Sequence, residues 1–92
     1  MYAVVVRANI GQGQFESARK ALRETTVPRA SQAPGFVKGY WSAGDDRGNG
    51  LSFVVFKTRE DAENAVKMIR SNAPPAGVTL ADVEVREIVA DA

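Results

Sequence analysis

Cysteine and histidine are both absent from this chain of 92 residues. Without cysteine there is no disulfide and no thiolate chemistry, although this alone leaves the redox compartment open. Without histidine the commonest general base is missing, and so is the commonest ligand of zinc and haem iron. A serine nucleophile would lack its usual activating partner. Charge of one sign is also scarce: 12 Lys and Arg against 11 Asp and Glu leave a net charge of +1, which is no electrostatic footprint for nucleic acid or an anionic membrane. Long apolar runs are lacking too. The opening "MYAVVVRANI" has no basic leader or cleavage site and is too short for a signal core or a membrane span. The expectation is a cytoplasmic protein with no cofactor, no metal, and neither nucleic acid nor membrane as partner.

What is present is ordinary for a globular protein, 45% hydrophobic and 25% charged. The length suits one domain over residues 1–92, with a core that is feasible but thin. "YAVVVRA" (2–8) is short and β-branched, and reads as a strand. Phe15, Ala18, Ala21 and Leu22 recur at helical spacing. The spacing carries on through Ala30 and Ala33, so the expectation is one helix, kinked at Pro28 and running to about Ser31. Pro34–Gly35 opens a second strand, "GFVKGYWSA" (35–43). "GDDRGNG" (44–50) reads as a hairpin loop in which Asn49–Gly50 takes the left-handed conformation. Asp45, Asp46 and Asn49 lack the ligand spacing of a calcium loop. "LSFVVFK" (51–57) is a third strand. Thr58 then caps a helix over 59–72 with an Ala62, Ala65, Val66, Ile69 stripe, ended by "SNAPPAG". "ADVEVREIV" (81–89) is the last strand.

The order βαββαβ describes a ferredoxin-like α+β fold: a four-stranded antiparallel sheet in order 4-1-3-2, with two helices on one face. "AVVV" and "FVVF" are the most continuously apolar strands, as central strands should be. The outer strands carry Lys38, Glu84, Arg86 and Glu87. A sheet with one wet face alternates apolar with polar. The central strands do not. Leu51, Phe53, Val55 and Val5 share the face away from the helices, a patch too large for an ordinary soluble monomer. They are the candidate dimer interface, with a second copy of the chain as partner.

Tyr40 and Trp41 are adjacent, so they point to opposite faces. If Ala43 pairs with Leu51, Tyr40 joins Ser52 on the helix side and Trp41 joins Phe53; a slip of one residue reverses this. Either way, Tyr40 or Trp41 would line a space between sheet and helices with Ser52, Phe56, Phe15 and Leu22. Small Ala18 leaves room there for a flat aromatic ligand. Arg19, Lys20, Arg23 and Glu24 read as the solvent face of the first helix. In a central strand, a serine such as Ser52 most often bonds a neighbouring backbone group.

Two family resemblances follow from these segments. "NGLSFVVF" (49–56) resembles the strand-three octapeptide of the RNA-recognition motif, and "TREDAENAV" (58–66) its second helix. The departures fall on the base-stacking positions: Leu51 replaces an aromatic and Asn49 a basic residue, so RNA binding is the remote alternative. "APGFVKGYW" (33–41) with "LSFVVFKTREDAENAV" (51–66) resembles the dimeric α+β barrels of the antibiotic-biosynthesis-monooxygenase-like superfamily. That resemblance implies two sheets packed face to face as a barrel, a pocket within each subunit, and cofactor-independent oxygenation as the activity. Where such oxygenases often carry an Asn and a Trp on strand three, this chain has Ser52 and Phe56. Haem-degrading relatives use a histidine ligand that is missing here. A non-catalytic ligand-binding or structural dimer is the alternative function.

Overall fold

Strand β1 is longer than its apolar run, Tyr2–Ile10, in a computed structural model that describes every residue from Met1 to Ala92. Its alternate residues Val4 and Val6 face the helices, while Ala3 and Val5 face the other way. Ala3, Val4 and Val5 are all buried, as expected of a central strand.

The helix that follows, α1, is continuous over three segments: Phe15–Ala21, a π-helical turn Leu22–Thr26, and Val27–Ser31. It realises the expected long helix with a late irregularity. Pro28 has no N–H, and its ring would collide with the carbonyl four residues back in a regular α-helix. The chain widens just before it, so that the Val27 N–H reaches the Leu22 carbonyl.

Strand β2, Phe36–Ala43, opens after Gly35 at φ +77°. A side chain there would be strained and would collide with the Asp61 carboxyl group. The hairpin to β3, Asn49–Phe56, departs from expectation. Asn49 and Gly50 are already paired in the ladder, and the residue with positive φ is Arg47, at 58°. The tip is held by the Asp46 carboxylate, which accepts from the Gly48 N–H at 2.9 Å. Helix α2, Arg59–Ser71, starts where Thr58 accepts from the Asp61 N–H at 3.1 Å, as expected from the sequence.

Strand β4 is Val78–Glu87, beginning three residues before the expected start. The reason is a β-bulge: Arg7 pairs with Asp82 but Ala8 with Leu80, leaving Ala81 as the extra residue. The bulge breaks the alternation by which a strand is recognised in sequence.

The sheet order is β2-β3-β1-β4, all neighbours antiparallel, with both helices on one face. The core lies between them around Val4, Val54, Phe56, Ala62 and Ala65. Phe36 packs edge-on against Phe56, centroids 6.3 Å apart. Across the other face run Val5, Leu51, Phe53 and Val55. They are flanked on the β4 side by Arg7, which lies 3.6 Å from Asp82 and 3.5 Å from Glu84, and by Arg86, 3.1 Å from Glu84. No helix is long and apolar enough to cross a membrane.

Candidate functional site

The core does not fill the space between sheet and helices. A half-open cavity of about 440 Å³ remains there, within the size range of small-molecule sites. Its floor is the helix-side face of the sheet: Val4 and Val6 of β1, Trp41 of β2, and Ser52, Val54 and Phe56 of β3. Phe15, Ala18 and Leu22 of α1 form one wall, and Ala65, Met68 and Ile69 of α2 the other. Arg19, Arg23 and Arg29 of α1, with Thr26 beside them, and residues 72–74 after α2 are lining residues exposed to solvent, and the cavity opens on this side.

Of the candidate ligand residues, Trp41, Ser52, Phe56, Phe15 and Leu22 are brought together in this one cavity. Tyr40 is not. It sits on the opposite face, 60% exposed, with the Lys38 ammonium 5.4 Å from its ring centroid. The register decides this: Ala43 pairs with Gly50 rather than Leu51, so Trp41 faces Ser52 and Tyr40 faces Phe53. The hairpin register sets that parity, and a bulge at Val37, between the Phe36–Phe56 and Lys38–Val55 pairs, brings Phe36 back to the same face. Together they let Phe36, Gly39 and Trp41 all face the helices. Gly39 is then the seat of the indole, since a Cβ at that position would lie 2.7 Å from Trp41 Cη2.

Two polar groups of the cavity floor are free to orient a ligand. The serine that bonds across the β2–β3 pair is Ser42, which donates to the Leu51 carbonyl at 2.7 Å. Ser52 makes no such bond, contrary to the usual habit of strand serines, and its hydroxyl is left for the cavity. The Trp41 indole N–H is likewise unpaired within the chain. At the end of the cavity Phe15 carries the Arg47 guanidinium 4.6 Å above its ring centroid, and Arg47 also reaches Glu16 at 3.6 Å. The hairpin tip is thereby pinned to the start of α1.

Sequence reasoning missed the mouth. Arg19 and Arg23 were expected to face solvent alone, yet they border the cavity, and Arg29 and Thr26 join them. The π-helical turn rotates the second half of α1 relative to the first, which a uniform helical period does not anticipate. No histidine or carboxylate lines the cavity. No group of three or more acidic side chains is placed to hold a metal ion.

Fold and cavity together define a small ferredoxin-like α+β protein with an apolar chamber under its helices. No protein-family model and no curated protein matches the chain. Solved structures do. A protein from Chloroflexus aurantiacus J-10-fl, named as an antibiotic biosynthesis monooxygenase, superposes with a TM-score of 0.64 at 16% identity, over 99% of this chain and 95% of that one. Rv0793 from Mycobacterium tuberculosis gives 0.61 at 15% identity, over 100% and 99%. A monooxygenase from the gene ActVA-Orf6 of Streptomyces coelicolor, solved with the ligand nanaomycin D, gives 0.60 at 10% identity, over 99% and 92%. This chain has the fold of the antibiotic-biosynthesis-monooxygenase-like proteins, as the strand-two and strand-three segments led us to expect.

Proposed function

We propose that the protein binds a flat, largely apolar aromatic molecule between its sheet and helices and oxygenates it with molecular oxygen and no cofactor. The observation that carries this is the unfilled cavity itself, with Ser52 and Trp41 in its largely apolar lining and neither side chain engaged in a hydrogen bond within the chain. A structural dimer would be expected to pack that space with its own side chains. The solved structures that share the fold include two named as monooxygenases, one of them holding an organic ligand.

The chemistry then belongs to the substrate. An ionised phenol passes one electron to oxygen, and the radical and superoxide join through a new C–O bond. The hydroperoxide loses water as the ring C–H proton leaves. Phenol plus oxygen becomes quinone plus water. The protein excludes bulk water and orients the ring, with Ser52 and Trp41 donating to its oxygens.

We further propose that the protein is a homodimer through the face bearing Val5, Leu51, Phe53 and Val55. Only eight of the 92 residues are buried within one chain, a thin core that a second sheet would extend.

A thermal-shift and oxygen-uptake screen of quinols and polycyclic phenols tests the main reading. Binding and uptake should fall on Ser52→Val and Trp41→Phe and persist on Tyr40→Phe, which lies on the other face. Binding without oxygen uptake would leave a ligand-binding dimer. No stabilisation by any compound would overturn the cavity reading.

A further inference from the structure

The cavity is apolar inside but its mouth carries charge of one sign. Arg19, Arg23 and Arg29 border it, whereas none of the chain's 11 acidic residues does. In a chain of net charge +1, this segregation is local rather than a reflection of a basic protein. Arg19 has a partial partner in Glu16 at 3.8 Å. Arg23 and Arg29 take part in none of the molecule's ion pairs, which join Arg7 to Asp82 and Glu84, Arg19 and Arg47 to Glu16, and Arg86 to Glu84. Arg19 and Arg23 are four residues apart on one helix, where like charges repel. On the outer side of the same helix Arg19 and Arg23 also border a shallow groove with Glu16, Lys20 and Glu24, so the acidic groups of this helix lie away from the cavity lining. Guanidinium groups are planar donors matched to carboxylates, and they are more weakly hydrated than ammonium groups.

We propose that the ligand of this cavity is an aromatic carboxylate: its ring system lies on the floor formed by Trp41 and Val54, and its carboxylate is held at the mouth by Arg23 and Arg29, with Arg19 adding to the field. This rests on the cavity reading above and adds the chemical class of the ligand. It also accounts for how such a ligand is drawn to a nearly neutral protein. The basic rim raises the local concentration of anions at the arginine-lined edge of the apolar chamber.

The test is a pair of probes alike in shape and different in charge, 2-naphthoate and 2-naphthamide, titrated by calorimetry at low ionic strength. The single Trp41 indole N–H resonance reports whether each one enters the cavity. 2-Naphthoate should bind at least tenfold more tightly than 2-naphthamide, and the gap should narrow as salt is raised. In the Arg23→Gln/Arg29→Gln double variant the two should bind within about twofold of each other, with 2-naphthamide unchanged from wild type. Lys20→Gln removes one charge from the same helix away from the cavity and should preserve the preference. Equal affinity of both probes for the wild type, each shifting the Trp41 resonance, would overturn the carboxylate assignment and leave the cavity reading standing. So would loss of the preference in Lys20→Gln to the same extent as in the double variant. Binding of neither probe would overturn both.

Discussion

Gly39 and Trp41 act as one unit. Residues two apart in a strand share a face, and here the larger lies across the smaller, so the indole rests against the sheet and the chamber stays open. Adding one methyl group in Gly39→Ala would place it 2.7 Å from Cη2 and 2.8 Å from Cζ3 of the indole, closer than carbon atoms approach. The ring must swing toward the cavity or the strand must shift. Overpacking of this kind costs roughly 1–3 kcal/mol. Gly39→Ala is therefore expected to lower the denaturation midpoint, change the emission of the only tryptophan and weaken ligand binding. Unchanged emission together with unchanged stability would mean that the indole is not seated on Gly39. Phe56 illustrates the opposite kind of site residue. It lines the chamber but is 2% exposed and pinned by Phe36, so its first duty is packing.

The two helices do different work. Helix α2 is regular, with a threonine cap, acidic residues Glu60 and Asp61 in its first turn, and Ala62 and Ala65 against the sheet. Thr58→Ala should cost about 1 kcal/mol through loss of the bond to the Asp61 N–H, read as a shift in urea midpoint at constant slope. Thr58→Ser should restore most of it. An unchanged midpoint in Thr58→Ala would place the start of α2 elsewhere. Helix α1 is irregular where it matters for the site. Its π-helical turn accommodates Pro28 and borders the cavity, so that Arg23 and Thr26, within the turn, and Arg29, beyond it, all reach the cavity lining.

At the scale of the whole molecule, one layer of helices leaves a four-stranded sheet with an uncovered side. Leu51 is 39% exposed there and Tyr40 60%. With a sheet-to-sheet dimer, light scattering at micromolar concentration should give twice the chain mass. Phe53→Asp should then dissociate or unfold the protein, because an unpaired carboxylate in an interface costs several kcal/mol, a large part of a small domain's stability. Leu51→Lys, at a more exposed position of the same face, should yield a folded monomer. A wild type of single-chain mass, or both variants remaining dimeric with unchanged melting temperature, would overturn the proposed assembly.

Local periodicity was enough to determine the kind and order of the elements. Alternating β-branched runs, the Ala62–Ile69 stripe, the Thr58 cap and the Pro34–Gly35 turn each act over a few residues. With the right-handed geometry of connections, they leave little choice but a sheet of order β2-β3-β1-β4. The central strands were legible because nearly every residue in them is apolar, and the site's floor was legible from the same runs. The parity of the edge strands was not. The hairpin register, with one bulged residue each in β2 (Val37) and β4 (Ala81), decides which face their side chains meet. That choice depends on how well Trp41, Leu80 and Val83 pack against strands and helices distant in sequence. No local pattern contains those contacts, so Tyr40 and Trp41 could be told apart only once the sheet was assembled. The mouth was decided in the same way. Arginines on a helix look solvated until tertiary packing shows that the helix spans a cavity and the far wall supplies no carboxylate.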